Sequence, residues 1–520
     1  MLWTRGGRVI VTADVRYAEI VCAEICHQGC TDMTDRVSII LAGLVVGGLV
    51  IGALIFSTSC SLLLDLDQCE VDSDCFEFEE CDEENLCRET QREYISSHIV
   101  TETTWTNDRV YVLEDMIHIV GAQLTIEPGT QIRAKPQAGL ISRSGSRLHA
   151  EGTREEPIVF TSDEDPGRRL AGDWAGLALV GNAPVNRDDF LLRVDSDEHG
   201  RPLVGGSDDT WDCGTLRYVR VEFGGSEVAM EVNGQTELHK ALNGITLAGC
   251  GSETTVEYVQ SHLSDDDGIV AFGGSVDIRN AVVTRAQNDG FGFDTGWRGT
   301  AQYLAVQQDG GGEDAIEIQN LAEDHHGEPV SDGQIYNYTL IGNDRQQSEW
   351  QMGIFFKRGG KGKLSHGIIQ GHPSAGLYVE GEVSGEHAHN GDLVVQNTLF
   401  YDIGADGDGW FDWIDIEKAD EWDLVDGQET AAGYEGFLAS DYSMFTDPQH
   451  NNVFGEDPGF DGDPYDRSDP GWVPAPEHTT GGEIEPPPES EGFDPTGNFL
   501  GAFAPNSTPW TDGWTSYPLH

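Results

Sequence analysis

The chain has 520 residues, 91 acidic against 30 basic, a formal net charge of −61, with 65 glycines and 38% hydrophobic residues. So acidic a chain does not hold nucleic acid through a basic face, nor anionic lipid through a polybasic patch. Glycine without a three-residue period excludes collagen, abundant glycine and β-branched residues exclude a coiled coil, and apolar β-rich runs along most of the chain exclude wholesale disorder.

Residues 1–32 hold Cys22, Cys26 and Cys30 and precede Met33, which opens a self-sufficient signal; they read as an upstream start called too early and are set apart from the fold. In segment 33–59, Val37 to Phe56 runs VSIILAGLVVGGLVIGALIF, 20 residues without a charge, long enough to cross a bilayer as a helix. The short head, apolar run and small residues before Cys60 resemble a bacterial lipoprotein signal, in which that cysteine is lipidated. An uncleaved transmembrane anchor over the same run, or a plain signal peptide, is the alternative. All these readings put the rest of the chain outside the cytoplasm, on an outer membrane, at the cell surface or beyond. Only five acids and four bases lie before Cys60, so the mature chain keeps the acidity.

Segment 60–95 is an acidic stalk. Cys69, Cys75, Cys81 and Cys87 stand six apart in QCEVDSDCFEFEECDEENLC, the pattern of a small two-disulfide knot with three possible connectivities. Zinc would favour CxxC pairs and fewer carboxylates. The stalk resembles short cysteine-rich segments behind the lipid anchor of myxobacterial surface proteins. Cys213 and Cys250, in DCGT and AGCGS, complete an even count and are expected to pair in an oxidising compartment.

Segment 96–403 gives short β-like runs broken by Gly, Asn and Asp, among them Gln123–Ile126, Pro157–Phe160, Leu216–Val221, Val256–Val259 and Tyr336–Leu340. Many alternate apolar with polar residues, as half-buried strands do. Three segments align: Asp266-Asp267-Gly268-Ile269, Asn288-Asp289-Gly290-Phe291 and Glu313-Asp314-Ala315-Ile316. From Asp267 to Asp289 is 22 residues and from Asp289 to Asp314 is 25, each segment entering a β-like run and following another. That period matches one turn of an all-β, right-handed parallel β-helix, a pectate-lyase-like solenoid in which thin coils stack to share one core.

LTIEPGTQIRAK, GSRLHAEGTREEPIVFTSD and DWAGLALVGNAPVN, then GTLRYVRVEFGG, SDDDGIVAFGGSVDIRNAVVT and the closing PWTDGWTSYP, resemble a family of bacterial exported β-helix lipoproteins of myxobacterial type. The resemblance covers most of Val100–Pro518. It implies fold and address, and no activity, because that family has no settled one. Segment 404–520 is rich in Asp, Glu, Pro and Trp; short helices are expected around Trp413–Leu424 and Ala431–Phe445, with the region closing the β-helix.

The coil-spaced acids carry the functional expectations. Asp265, Asp266, Asp267, Asp289, Asp294, Glu313 and Asp314 offer hard oxygen ligands for calcium, no other cofactor being implied; as ordinary turn residues, they would instead cap local backbone N–H groups. Like charges one coil apart favour a cation or raised pKa values. A second expectation is a uronate- or pectin-type hydrolase or lyase, in which Asp289, Glu313 and Asp314 would protonate a leaving oxygen and activate water. Against it, no Gly-His-Gly or Arg-x-Lys follows these motifs, and Arg298 and Lys357 are the available bases. The third, preferred, is a non-catalytic binding or structural module facing glycans or surface proteins, with Trp297, Trp410, Trp413 and Trp422 as stacking platforms or as loop packing. The pairs His325-His326 and His387…His389 read as solvated.

Overall fold

The computed structural model describes residues 91–192, 194, 199–232, 235–240, 242–343, 351–404, 443–476 and 484–520, with short strands at 4–5, 8–9, 79–81, 87–89 and 414–416. Two compact units divide at residue 90. In the first, Thr4–Arg5 pairs with Arg8–Val9, and Glu79–Cys81 with Cys87–Glu89, Cys81 standing opposite Cys87 in an antiparallel ladder. Val37–Phe56, Cys60, Cys69 and Cys75, which carry the anchor, lipidation and knot expectations, lie outside the described residues. Among the described residues no helix is long and apolar enough to cross a membrane.

The second unit is a right-handed parallel β-helix. Strands pair in parallel from coil to coil in a fifteen-stranded and a ten-stranded sheet. The ten-stranded sheet shows how the period-two pattern builds the core. Leu177, Ile245, Ile269, Phe291, Ile316, Ile354 and Leu377 stand in one register column, and Leu179, Leu247, Ala271, Phe293, Ile318, Phe356 and Val379 in another. All are buried in a single apolar cluster. The column between them points the other way and holds Thr246, Val270, Gly292, Glu317, Phe355 and Tyr378.

The long strands of the other sheet bend at one shared position. Tyr218, Tyr258, Asn280, Tyr303, Asn337, His366 and Asn397 all have φ between +47° and +65°. The ladder skips each of them: Arg217 pairs Glu257 and Val219 pairs Val259, with the corner between. Left-handed backbone in a non-glycine residue is costly except for Asn and its like. Stacking offsets it here, since the rings of Tyr218 and Tyr258 lie 4.6 Å apart at 9°.

One expectation for the carboxy-terminal region is corrected. Ile414–Ile416, placed in a helix by sequence, is a strand at the edge of the ten-stranded sheet, Ile414 pairing with Leu377. Its Ile-Asp-Ile alternation continues the sheet's period of two. Of Ala431–Phe445 only the end is described, in the short helix Ser443–Thr446. The described residues from Asp461 onward, 461–476 and 484–520, lie along the flank of the stack as a strap. Gln307 Nε2 donates to Pro464 O at 2.8 Å, Asn337 Nδ2 to Gly497 O at 2.9 Å, and Gln260 Nε2 to Ser516 O at 2.8 Å. The last residue reaches an early coil, where Gly167 N donates to His520 O at 3.2 Å. Trp472, Val473, Ala502 and Phe503 bury the outward side of Val282, Ala305 and Ile341.

Cys213 and Cys250 form a disulfide with Cα atoms 5.7 Å apart and stand 37 positions apart in sequence. Both are buried. Replacing the pair by alanine is expected to remove about 2–4 kcal/mol of stability by freeing the unfolded loop. Urea unfolding checks this, and an unchanged midpoint contradicts it.

Candidate functional site

Asp267, Asp289 and Asp314 each stand two residues before an inward core residue, Ile269, Phe291 and Ile316. They therefore occupy the same turn on consecutive coils. Each spends one carboxylate oxygen on the backbone of the next coil. Asp267 Oδ1 accepts from Asp289 N at 3.0 Å, Asp289 Oδ1 from Asp314 N at 2.8 Å, and Asp314 Oδ1 from Met352 N at 2.9 Å. Asn288 Nδ2 also donates to Asp267 Oδ1, at 2.7 Å. The ladder is thus a structural tie as well as a run of charge.

Glu317 joins it from the sheet. The residue was not among the sequence candidates. It sits in strand Ile316–Gln319 at the outward position between inward Ile316 and Ile318. Beside it in register is Gly292, whose missing side chain leaves room in front of the ladder. Carboxylate oxygens of Asp289, Asp314 and Glu317 all come within 4.8 Å of one another, at 3%, 4% and 6% exposure. Lys357 Nζ pairs with Glu317 Oε2 and lies 4.9 Å from the centre of the Phe355 ring. Gln319 Nε2 donates to Glu317 Oε1, and Arg358 Nη1 to Gln319 Oε1.

Burial raises the pKa of Asp267, Asp289 and Asp314 well above the carboxylate range, with neighbouring carboxylates adding to it. Asp266 is the chief charged neighbour for Asp267, and Glu317 for the other two. Asp294, in the next outward column, is pushed up to about 7 by burial and then by Glu317. For Lys357, burial works to lower the pKa, yet Glu317 and Asp289 leave it raised. When all three acids are ionised, three carboxylates against one ammonium leave two negative charges, the deficit that one divalent cation fills; without a cation, burial keeps protons on the group instead. The donor set is all oxygen, which suits a hard cation such as calcium.

The remaining candidates lie apart. Glu313 is exposed; its N–H donates to Asn288 O at 2.9 Å, and it is not in the three-carboxylate group. Asp265 and Asp266 sit half-buried in the turn before Asp267, where Asp265 N donates to Gly224 O at 2.9 Å. Arg298 is engaged elsewhere, Nη2 lying 3.0 Å from Asp209 Oδ1. Trp297 is no platform: it is fully buried, stacked on Phe293 at 4.1 Å, and donates from Nε1 to Val276 O at 3.0 Å. Trp410, Trp413 and Trp422 lie outside the described residues. His326 is exposed, and His387 Nδ1 lies 3.7 Å from Asp392 Oδ2 on the helix Glu382–Asn390. Among the described residues only the acid group gathers three metal-ligating side chains.

Two cavities open on the strap side, of about 440 Å³ beside Tyr258, Tyr303 and Trp510, and about 620 Å³ beside Arg285, Asp309 and Arg467. Neither is lined by Asp289, Asp314 or Glu317.

No curated protein matches the chain. Among solved structures it is similar to the Dettilon tailspike protein, at 10% identity and a TM-score of 0.19, over 60% of this chain and 61% of that one. The match therefore spans about three fifths of the tailspike's length. The family model of the pectate-lyase like beta helix domain matches residues 97–436, nearly two thirds of the sequence. The chain belongs to that family of β-helix domains.

Proposed function

We propose that the protein is an exported, lipid-anchored β-helix module that binds glycans or surface proteins without catalysis, with calcium tying the coils at Asp289, Asp314 and Glu317. The observation that supports this reading most is the use of the ladder. Asp267, Asp289 and Asp314 each hold the backbone of the next coil with one oxygen. A carboxyl committed to a backbone N–H and, as at Asp289 and Asp314, almost wholly buried is poorly disposed to protonate a substrate. The same residues suit a cation, because three oxygens converge where full ionisation would leave two negative charges unbalanced. Bound calcium would supply charge neutralisation. The chain's own residues would orient the coils, exclude water through Phe355, and hold Lys357 against Glu317.

Calcium added to the metal-stripped protein at 100 times its Kd is expected to add about 2.7 kcal/mol. For a chain of this size that raises Tm by about 3 °C. Asp289→Asn removes the shift. A carboxyl with a raised folded pKa contributes stability below about pH 4, and loses it as pH rises through the folded value, about 7 for Asp294. The calcium-dependent shift is therefore expected to grow from pH 5 to pH 7. No shift at any pH sinks the cation reading. The non-catalytic reading falls if wild type turns over polygalacturonate and Asp289→Asn does not.

A further inference from the structure

The corner column of the long strands is a row of rings with one rung missing. Register places Tyr258 against Asn280 and Asn280 against Tyr303, since Glu257 and Val259 pair with Arg279 and Ala281, and these with Gln302 and Leu304. On one side, Tyr218 and Tyr258 occupy consecutive rungs as rings 4.6 Å apart. On the other, Asn337 follows Tyr303 and is as short as Asn280, and the strap supplies the ring. Phe499 stacks on Tyr303 at 6.3 Å and 19°, with its carbonyl held by Asn337 Nδ2 at 2.8 Å. At Asn280 the cavity of about 440 Å³ takes the place of a ring, lined by Tyr258, Asn280, Tyr303 and, from the strap, Trp510.

Two further observations mark the gap as a binding place. Asn280 is half-buried, and its amide has no hydrogen-bond partner among the described residues. The other asparagines of the column are both engaged: Asn337 Nδ2 holds Gly497 O and Phe499 O, and Asn397 Nδ2 donates to Ser365 Oγ at 3.0 Å. The rings around the gap are also fixed from behind. Tyr303 Oη donates to Asp494 Oδ2 at 3.0 Å, Trp510 Nε1 donates to Ala502 O at 2.9 Å, and Tyr258 backs onto the Tyr218 ring. The slot is therefore formed before anything enters it. Consecutive coils stand about 4.8 Å apart, so a flat ring level with Asn280 meets the rungs of Tyr258 and Tyr303 at the spacing of offset stacking.

We propose that this gap binds a purine, with the ring stacked between Tyr258 and Tyr303 and its amino edge paired with the Asn280 amide. An asparagine amide offers a donor and an acceptor side by side, which an adenine edge matches with two hydrogen bonds. A hydrocarbon ring would leave that amide unmatched. Stacking on aromatic side chains holds a base without help from its phosphate. The wall disfavours a phosphate: two of its three charged groups are acidic, Glu257 and Asp494, and Arg279 Nη2 already donates to Gly492 O. The ligand is thus a purine base or nucleoside and not a nucleotide. The volume lies in the range of small-ligand sites. The site is separate from the carboxylates of Asp289, Asp314 and Glu317, none of which lines it.

Titration calorimetry of the full chain in detergent tests it, with adenine, adenosine, adenosine monophosphate and dimethyladenine, which is methylated on its amino group. Adenine is expected to bind, with adenosine at least as tight if the nucleoside is the ligand and weaker if the free base is. The monophosphate is expected to bind more weakly than adenosine. Dimethyladenine keeps the ring but lacks the amino N–H, and the lost hydrogen bond is expected to weaken it about 10-fold against adenine. Asn280→Tyr fills the rung with the residue that Tyr218, Tyr258 and Tyr303 already place at left-handed φ, and is expected to abolish binding without lowering Tm. Asn280→Gly keeps the left-handed backbone and removes the amide, and is expected to weaken adenine about 10-fold and leave dimethyladenine as it was. The proposal is overturned if adenine and adenosine give no heat, if dimethyladenine binds as adenine does, if the monophosphate binds more tightly than adenosine, or if Asn280→Tyr binds adenine as wild type does. Should Asn280→Tyr fail to fold, Asn280→Gly decides alone, and an unchanged adenine affinity overturns the proposal.

Discussion

Removing residues 510–520 is expected to destabilise the β-helix by about 5 kcal/mol or more, although none of these residues is in a coil. The estimate combines two kinds of loss. Trp514 is fully buried, edge-on to the Tyr218 and Tyr258 rings at 5.7 and 6.3 Å, and deleting a buried tryptophan costs about 3–5 kcal/mol. The strap also satisfies side chains that the coils leave open. Arg220 Nη1 donates to Trp514 O, Gln260 exchanges two hydrogen bonds with Ser516, and buried His262 lies 2.8 Å from Pro518 O through Nε2. Each buried group left without its partner adds about 1–3 kcal/mol. Urea unfolding of the truncated chain measures the sum. A midpoint equal to wild type would mean that the strap merely rests on the stack. Acid should loosen the same contact. Burial holds His262 down to about 4, so its contribution is complete above about pH 6.5 and is lost as pH falls through 4.

Trp297→Ala is expected to cost about 3–5 kcal/mol. The ring closes the coil between the two sheets, stacked on Phe293 at 4.1 Å and donating to Val276 O. Collapse of the coil around the void is limited, because Gly333 already sits so close that a Cβ there would meet the indole at 1.9 Å. For the same reason Gly333 accepts no side chain while Trp297 is present. Differential scanning calorimetry of Trp297→Ala and Trp297→Phe separates cavity from hydrogen bond: phenylalanine should recover part of the loss. If alanine left Tm unchanged, the tryptophan would be a surface platform after all.

The β-helix was legible because its physics is periodic. Inward Ile, Leu and Phe recur every second residue within a strand and every 22 to 25 residues from Ile245 to Ile316, and both periods stand in the sequence. Asp267, Asp289 and Asp314 were legible as a ladder for that reason. Glu317 was not. It lies inside an apolar run, at the outward position of IEIQ, and only coil register brings it to Asp289, 28 positions earlier. An acid between two inward isoleucines was the available signal. Lys357, its counter-ion, stands 40 positions further on and was visible only as part of a basic cluster. Asp294 and Glu313 shared the ladder's spacing without sharing its three-carboxylate group, because spacing fixes the coil and not the direction of the side chain. The strap had no period to read. Its anchors are single side chains, such as Asn337, His366 and Gln260, meeting carbonyls more than a hundred residues away.

The corner column and the strap together set an order of events. Solenoids fold by nearest-neighbour addition, and a half-made stack can already be stable. Here Gln260, Gln302 and Asn337 wait for carbonyls at Ser516, Asp494 and Gly497, and Gly167 waits for His520. A chain made amino terminus first cannot close these side chains until the strap, more than 150 positions further on, has been made. The coils therefore form before the segment that fastens them, and stay open on that flank until it arrives.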